Sequence, residues 1–129
     1  MKVLTNRWWP AVAVMAVIFI ASSIPGSDLP QFGFWDTIVK KGGHMTGYAM
    51  LAASYMHAIH RTKSFKPPQL LAAFCLTILY AVSDEWHQSF TPGRSPSFLD
   101  VIIDGAGGLI GLALWALIRT LVAGRQESG

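Results

Sequence analysis

Charged side chains are scarce in this chain of 129 residues, which has ten Lys and Arg and seven Asp and Glu. They make up 13% of the residues, about half of the roughly 25% that is usual in soluble globular domains. Hydrophobic residues, by contrast, make up 52% of the chain, and the mean hydropathy is +0.41. This composition disfavours an ordinary water-soluble domain and favours a membrane protein.

Cysteine is almost absent, and Cys75 is the single one. The chain therefore has no internal disulfide, and we expect Cys75 to be a small packing residue in the middle of an apolar segment. The net charge is only +3. We attribute it to the orientation of the chain in a membrane, so a nucleic-acid partner is not expected.

The charges mostly avoid four segments of the chain, at about residues 8–24, 44–59, 68–88 and 98–120. Each is close to the ~17–25 residues that a helix needs to cross a hydrocarbon core of ~30 Å. We predict an all-α integral membrane bundle of four transmembrane helices. Short connections leave no room for a second domain, so residues 1–129 form one domain.

The first segment has an alternative interpretation as a cleaved signal peptide. Lys2 and Arg7 precede its apolar run, and the small residues Ala21, Ser22 and Ser23 follow it. We favour a membrane helix because the run is long for a signal peptide. The other three spans also need an N-terminal partner to pack against.

Lys and Arg are distributed unevenly between the two ends of the predicted spans. With a cytoplasmic N-terminus, seven lie on the inner side, namely Lys2, Arg7, Arg61, Lys63, Lys66, Arg119 and Arg125. Three lie on the outer side, namely Lys40, Lys41 and Arg94. Because positive residues concentrate in cytoplasmic loops, we predict that both termini are cytoplasmic.

Polar side chains gather at the outer ends of the predicted spans. They are Ser22 and Ser23 in the first, Lys41, His44 and Tyr48 in the second, Asp84, Glu85, His87 and Gln88 in the third, and Asp100 and Asp104 in the fourth. Ionisable groups in membrane segments are costly, and they are functional by default. At ~100° per residue, Asp84, His87 and Gln88 share one face, with Glu85 at its margin. We predict one polar pocket that opens to the cell exterior.

Two GxxxG motifs, at Gly43–Gly47 and Gly107–Gly111, allow helices to approach each other closely in lipid. We expect them to serve packing within the bundle, and self-association into a homo-oligomer stays open. Since Asp100 and Asp104 lie on the same stripe as Gly107 and Gly111, both carboxylates should face the bundle interior.

Four motifs lie at these helix ends. They are Ser22-Ser23-Ile24-Pro25-Gly26, Lys41-x-x-His44-x-x-x-Tyr48, Asp84-Glu85-x-His87-Gln88-x-Phe90-x-Pro92-Gly93-Arg94, and Asp100 with Asp104, Gly108 and Gly111. With them the chain resembles the VanZ-like membrane family from about residue 20 to residue 112. One departure is Asp104, at a position that is often Asn in the family. The resemblance implies a multi-pass protein of the bacterial cytoplasmic membrane and a link to resistance to the glycopeptide teicoplanin. It implies no established reaction.

The predicted pocket combines acid–base groups with anion-binding groups. Histidines exchange protons near neutral pH, and carboxylates orient them. The candidate catalytic residues are His44, Asp84, Glu85, His87 and Asp100, and the candidate substrate-binding residues are Lys41, Tyr48, Gln88, Arg94 and Asp104. Among these, Arg94 can offer a bidentate fork to a phosphate or carboxylate.

Two function classes stay open. In the first, the protein is an enzyme that acts on an envelope lipid or a lipid-linked cell-wall precursor. In the second, it is a non-catalytic protein that binds membrane lipids, such a precursor or a glycopeptide, or whose charges only hold the helix ends together. Asp84 and His87 place two possible zinc ligands on one face, but HExxH and paired cysteines are missing. We assign no metal site and leave any cofactor open.

Overall fold

The computed structural model describes residues 2–61 and 66–127, whose regular secondary structure is helical, without a β-strand. The helices are α1 (Lys2–Ser23), α2 (Asp36–Ile59), α3 (Pro67–Gln88) and α4 (Phe98–Glu127), with 3-10 turns at Gly26–Asp28 and Gly33–Trp35. The predicted all-α class is confirmed. Side chains are described for residues 7–61 and 66–126, so the side chain of Lys2 and the whole of Lys63 lie outside the described residues.

Helix α2 begins at Asp36, well before the predicted start at residue 44. The Lys40 ammonium lies 2.8 Å from the Asp36 carboxylate, one helical turn away. A carboxylate in the first turn also interacts favourably with the helix dipole. The apolar pattern does not show this turn because the turn carries charged side chains, but the spacing of those charges favours a helix.

The starts of α3 and α4 follow from local capping. Pro67 opens α3, where the missing N–H of proline has no helical partner to lose. The Gln69 side chain accepts a hydrogen bond from Lys66 N at 2.9 Å. In α4, Asp100 N donates to Ser97 Oγ at 3.3 Å, and Ser97 Oγ donates to Asp100 Oδ2 at 3.1 Å. This reciprocal pair resembles a capping box and fixes the first turn of α4.

Helix α2 lies at the centre of the bundle and packs against α1, α3 and α4, most extensively against α4. At that interface a Cβ atom on Gly107 would overlap the Met45 carbonyl, and one on Gly111 would overlap the Ala49 carbonyl. The second GxxxG motif therefore serves packing within the chain, as expected. Gly43 differs, because a Cβ atom there would meet nothing within 4 Å.

The exterior of the bundle is strongly apolar. Large exposed side chains include Val17, Phe19, Leu71, Leu79, Leu109, Leu114, Leu117 and Leu121. Water-soluble monomers rarely expose contiguous apolar surface on this scale. In the described part of the chain, Pro67–Gln88 and Phe98–Gln126 are long and apolar enough to cross a membrane. The apolar stretch of α1, Arg7–Ser23, is shorter, so the four-span arrangement stays a prediction.

Cys75 lies on the exposed face of α3, so the expectation that it is a small packing residue is wrong. Ala73 and Thr77 are the buried residues on either side of it. A residue two positions from each points away from the interior, because successive helical residues are rotated by about 100°.

At the end of the bundle where α1 begins, Arg7 joins α1 to the end of α2. Its guanidinium donates hydrogen bonds to the carbonyls of His57, at 2.8 Å, and His60. The buried His60 ring contacts Trp115 edge to face at 4.9 Å, and Arg119 lies over the same indole ring at 5.7 Å. Basic and aromatic side chains of three helices therefore meet at this end.

We expect Gly111→Ala to lower the thermal unfolding midpoint of the protein in detergent. The added methyl group would overlap the Ala49 carbonyl, and overpacking of this kind costs about 1–3 kcal/mol. Gly42→Ala is the matched control, because its Cβ atom would meet nothing within 4 Å. If the unfolding midpoints of both variants equalled or exceeded that of the wild type, the close approach of α2 and α4 would be contradicted.

Candidate functional site

A polar cavity of about 550 Å³ lies at the end of the bundle where α1 and α3 end and α2 and α4 begin. Seven of the ten predicted site residues line it, namely Lys41 and His44 of α2, Glu85 and Gln88 of α3, Arg94 of the following loop, and Asp100 and Asp104 of α4. Tyr48, Asp84 and His87 are not among its lining residues. The structure therefore brings side chains from three helices and one loop to a single cavity.

Two charge pairs join α2 to α4 across this cavity. Lys41 Nζ donates a hydrogen bond to Asp100 Oδ1 at 3.0 Å. His44 Nδ1 lies 3.6 Å from Asp104 Oδ1, which is too long for a hydrogen bond but within the range of an ion pair when His44 is protonated. The second pair is therefore held less tightly than the first.

Asp104 is the most unusual group of the cavity. Its side chain is only 1% exposed, and neither carboxylate oxygen has a hydrogen-bond partner among the described residues. A buried polar atom without a partner is costly, and a buried charge is more so. Asp104 therefore strongly favours a nearby donor, which is either a protonated His44 or a group on a bound ligand.

Asp84 lies behind the cavity and forms a buried hydrogen-bond cluster with three neighbours. Its Oδ2 accepts hydrogen bonds from Ser22 Oγ at 2.9 Å, Tyr48 OH at 3.2 Å and Gln88 Nε2 at 3.0 Å. These donors belong to α1, α2 and α3, so Asp84 ties the three helices together. Its position indicates a supporting role for Asp84 and Tyr48 behind the cavity wall.

His87 lies apart from His44, on the side of α3 that faces α1. Its Nε2 lies 2.9 Å from Ser23 Oγ, and its ring stacks on Phe19 at 4.4 Å. Helical spacing predicts Glu85 at the margin of the polar face of α3. Glu85 instead lines the cavity and accepts a hydrogen bond from Ser97 N at 3.1 Å. Helix α1 covers the His87 face, so α3 turns Glu85 and Gln88 towards the cavity.

The loop after α3 docks on the turn after α1 through two glycines. Gly26 N donates a hydrogen bond to Pro92 O at 2.9 Å. A Cβ atom on Gly26 would overlap the Gly93 carbonyl, and Gly93 has a φ of 72°, which few other residues adopt. This contact brings the Ser-Ser-Ile-Pro-Gly and Pro-Gly-Arg motifs together.

Arg94 closes the end of α1 as well as lining the cavity. Its Nε donates to the Ile24 carbonyl at 3.1 Å, and its Nη2 donates to the Ala21 carbonyl at 2.8 Å. A cation at the end of a helix satisfies carbonyls that lack a helical partner and interacts favourably with the helix dipole. The sequence pattern predicts an anion-binding arginine but does not show this second role.

Asp36 and Lys40 also line the cavity, although neither is among the predicted site residues. The apolar pattern places the start of α2 too late to include them. Their spacing of four residues, with the acidic residue first, is the signal that could have shown a helical turn there. The cavity is therefore richer in paired charges than the sequence analysis indicates.

The described residues contain no group of three or more His, Cys, Asp or Glu side chains that could hold a metal ion. Asp84 and His87, the two possible zinc ligands of α3, are engaged by Ser22 and Ser23 of α1.

Comparison with protein-family models matches residues 7–119 to the family described as VanZ/LLP1. The chain belongs to the VanZ/LLP1 family. This confirms the resemblance predicted from the motifs at the helix ends. Together with the two long apolar helices α3 and α4, membership indicates a membrane protein. Comparisons with curated proteins and with solved structures give no match.

We expect Asp84→Ala to destabilise the protein by at least about 2 kcal/mol, because the buried hydroxyls of Ser22 and Tyr48 lose their acceptor at about 1–3 kcal/mol each, whereas Gln88 Nε2 keeps Ser22 Oγ. The measurement is the thermal unfolding midpoint in detergent. The control is Asp28→Ala, which removes an exposed carboxylate and should change the stability by less than about 0.5 kcal/mol. Similar midpoints for the two variants would show that the cluster around Asp84 does not hold the helices together.

Proposed function

We propose that this VanZ/LLP1 protein crosses the bacterial cytoplasmic membrane four times, with both termini in the cytoplasm and the polar cavity facing outwards. The distribution of positive side chains supports this orientation. The end opposite the cavity holds Arg7, Arg61, Lys66, Arg119 and Arg125, whereas the cavity end holds Lys40, Lys41 and Arg94. Those three cations are also engaged, with Asp36, with Asp100 and with the α1 carbonyls.

Cysteine labelling in intact cells tests this topology. In a Cys75→Ser background, we expect Ser95→Cys, at the cavity, to react with a membrane-impermeant maleimide. Gln126→Cys, near the end of α4, should react only after the membrane is permeabilised. The reverse pattern, or labelling of both sites in intact cells, would contradict the proposed orientation.

We infer further that the cavity receives the polar headgroup of an envelope lipid or a lipid-linked cell-wall precursor. The observation that carries this proposal is the meeting of His44, Asp104 and Arg94 from three separate elements in one cavity. Asp104 faces His44 Nδ1 and so orients the ring, which leaves Nε2 as the nitrogen that can exchange a proton with a ligand. Arg94 Nη1 is not used in the two bonds to α1, and it offers a donor to an anionic oxygen.

In this proposal the reaction class is acid–base chemistry at an anionic headgroup. His44 exchanges the proton, Asp104 holds its orientation, and Arg94 positions the negative charge. Lys41 is held by Asp100 and contributes positive potential at the cavity wall. His87 and Asp84 support the surrounding helices and are assigned no part in proton transfer.

Substitution of His44 tests the catalytic proposal. We expect the purified protein, reconstituted with total bacterial lipid extract, to convert one lipid species as followed by mass spectrometry. His44→Gln should reduce the rate about 100-fold or more, the usual effect of losing a general acid or base. His57→Gln and His87→Gln should retain the activity, since neither side chain lines the cavity.

Unchanged conversion by folded His44→Gln would contradict the assignment of His44. A second readout is the susceptibility to teicoplanin of cells that express each variant, because the family resemblance links the protein to that antibiotic. In our proposal, any protective effect follows the same order of variants as the lipid conversion.

A non-catalytic role is the second candidate, and the pairing of the cavity charges favours it. Lys40 is paired with Asp36, Lys41 with Asp100, and Arg94 with two carbonyls, so these groups could act only by fixing the helix ends. In that case the reconstituted protein converts no lipid. Reversing the charge of Lys41 alone or of Asp100 alone lowers the stability, and reversing both charges together restores it.

A further inference from the structure

A second cavity of about 310 Å³ lies between α1 and α2, and its lining is mostly apolar. Val17 and Ile18 of α1 form one wall, and Val39, Gly43 and Gly47 of α2 form the other. Val17 is 66% exposed, so this α1–α2 groove opens onto the apolar exterior of the bundle. A space of this kind suits a hydrocarbon chain better than a polar group.

The α1–α2 groove adjoins the polar cavity. Leu29, Lys40, His44 and Arg94 line both spaces, so the two meet along these side chains. The combined site is apolar at the exterior of the bundle and polar at its inner end. Its form matches an amphiphile with a charged headgroup and a hydrocarbon tail.

Gly43 keeps the groove open. A Cβ atom at Gly43 would meet nothing within 4 Å, so no packing contact within the described residues requires glycine there. Gly47 differs slightly, because a Cβ atom there would lie 3.5 Å from the Ile18 side chain. An ordinary side chain at position 43 would therefore extend into the groove without displacing the backbone.

A second observation favours a ligand in the combined site. Asp104 lines the polar cavity, is 1% exposed, and has no hydrogen-bond partner for either carboxylate oxygen among the described residues. A donor on a ligand headgroup would remove the cost of burying these atoms. The apolar groove thus leads to a cavity in which a buried carboxylate, paired with His44 only at 3.6 Å, lacks a hydrogen-bond partner.

We propose that the α1–α2 groove holds the hydrocarbon tail of the lipid whose headgroup occupies the polar cavity, and that the lipid enters from the side. The inference rests on the proposed function and specifies its substrate as a membrane lipid that stays in the bilayer. Lateral entry keeps the tail out of water at every stage, so the headgroup alone changes its surroundings. A water-soluble substrate would not need this groove.

The test compares Gly43→Leu with Gly42→Leu. Both positions are exposed helical glycines with open space around the Cβ atom, and both substitutions raise helix propensity equally. Of these two glycines, only Gly43 lines the groove. Each variant is purified with total bacterial lipid extract and washed with detergent, and retained lipid is measured by native mass spectrometry.

We expect the wild type and Gly42→Leu to retain one lipid per chain, and Gly43→Leu to retain at least tenfold less. Equal thermal unfolding midpoints would show that all three are folded. Val17→Trp, which narrows the groove from α1, provides a second blocking variant. Retention by both blocking variants at the wild-type level, or no retained lipid on the wild type, would overturn the proposal.

The two proposals fail separately. If His44→Gln abolishes lipid conversion while both blocking variants bind and convert lipid normally, the groove assignment is wrong and the catalytic assignment stands. If the blocking variants lose lipid while His44→Gln converts it at the wild-type rate, the groove assignment stands and the role of His44 is wrong.

Discussion

Backbone contact between α2 and α4 determines where the ionisable groups of the cavity lie. The two helices run in the same direction, and the glycines of α4 allow contact with the carbonyls of α2. From the cavity end inward, the interface pairs Lys41 with Asp100, His44 with Asp104, Met45 with Gly107 and Ala49 with Gly111. A larger residue at either glycine would separate the helices and with them the charged partners. The close contacts at the glycines and the charged pairs therefore depend on the same alignment of α2 with α4.

The distribution of polarity differs from that in a water-soluble protein. Charged and hydroxyl groups such as Asp84, Asp104 and Ser22 are buried, whereas leucines cover the outside. In lipid there is no hydrophobic driving force to bury an apolar exterior, so packing and hydrogen bonding hold such a bundle together. The cluster around Asp84 and the contact of Gly26 with Gly93 supply these interactions near the cavity.

The sequence predicts the helices and most of the cavity, because apolar runs and helical faces are local properties. It predicts that Lys41, His44 and Asp100 meet, since their helix ends must lie at the same end of the bundle. It cannot predict which face of α3 is covered by α1, and for this reason it wrongly predicts His87 in the pocket. Nor does it show the two bonds from Arg94 to the carbonyls of Ala21 and Ile24, because they join residues about 70 positions apart in the chain.

Arg94 connects the chemistry of the site to the position of a helix. The same guanidinium lines both the polar cavity and the α1–α2 groove, and it holds the last carbonyls of α1. An anion that binds the remaining nitrogen, Nη1, is held by the same guanidinium that donates to those carbonyls through Nε and Nη2. The charge of whatever occupies the site and the attachment of the terminal turn of α1 are therefore thermodynamically coupled, so each must influence the other by the same free energy.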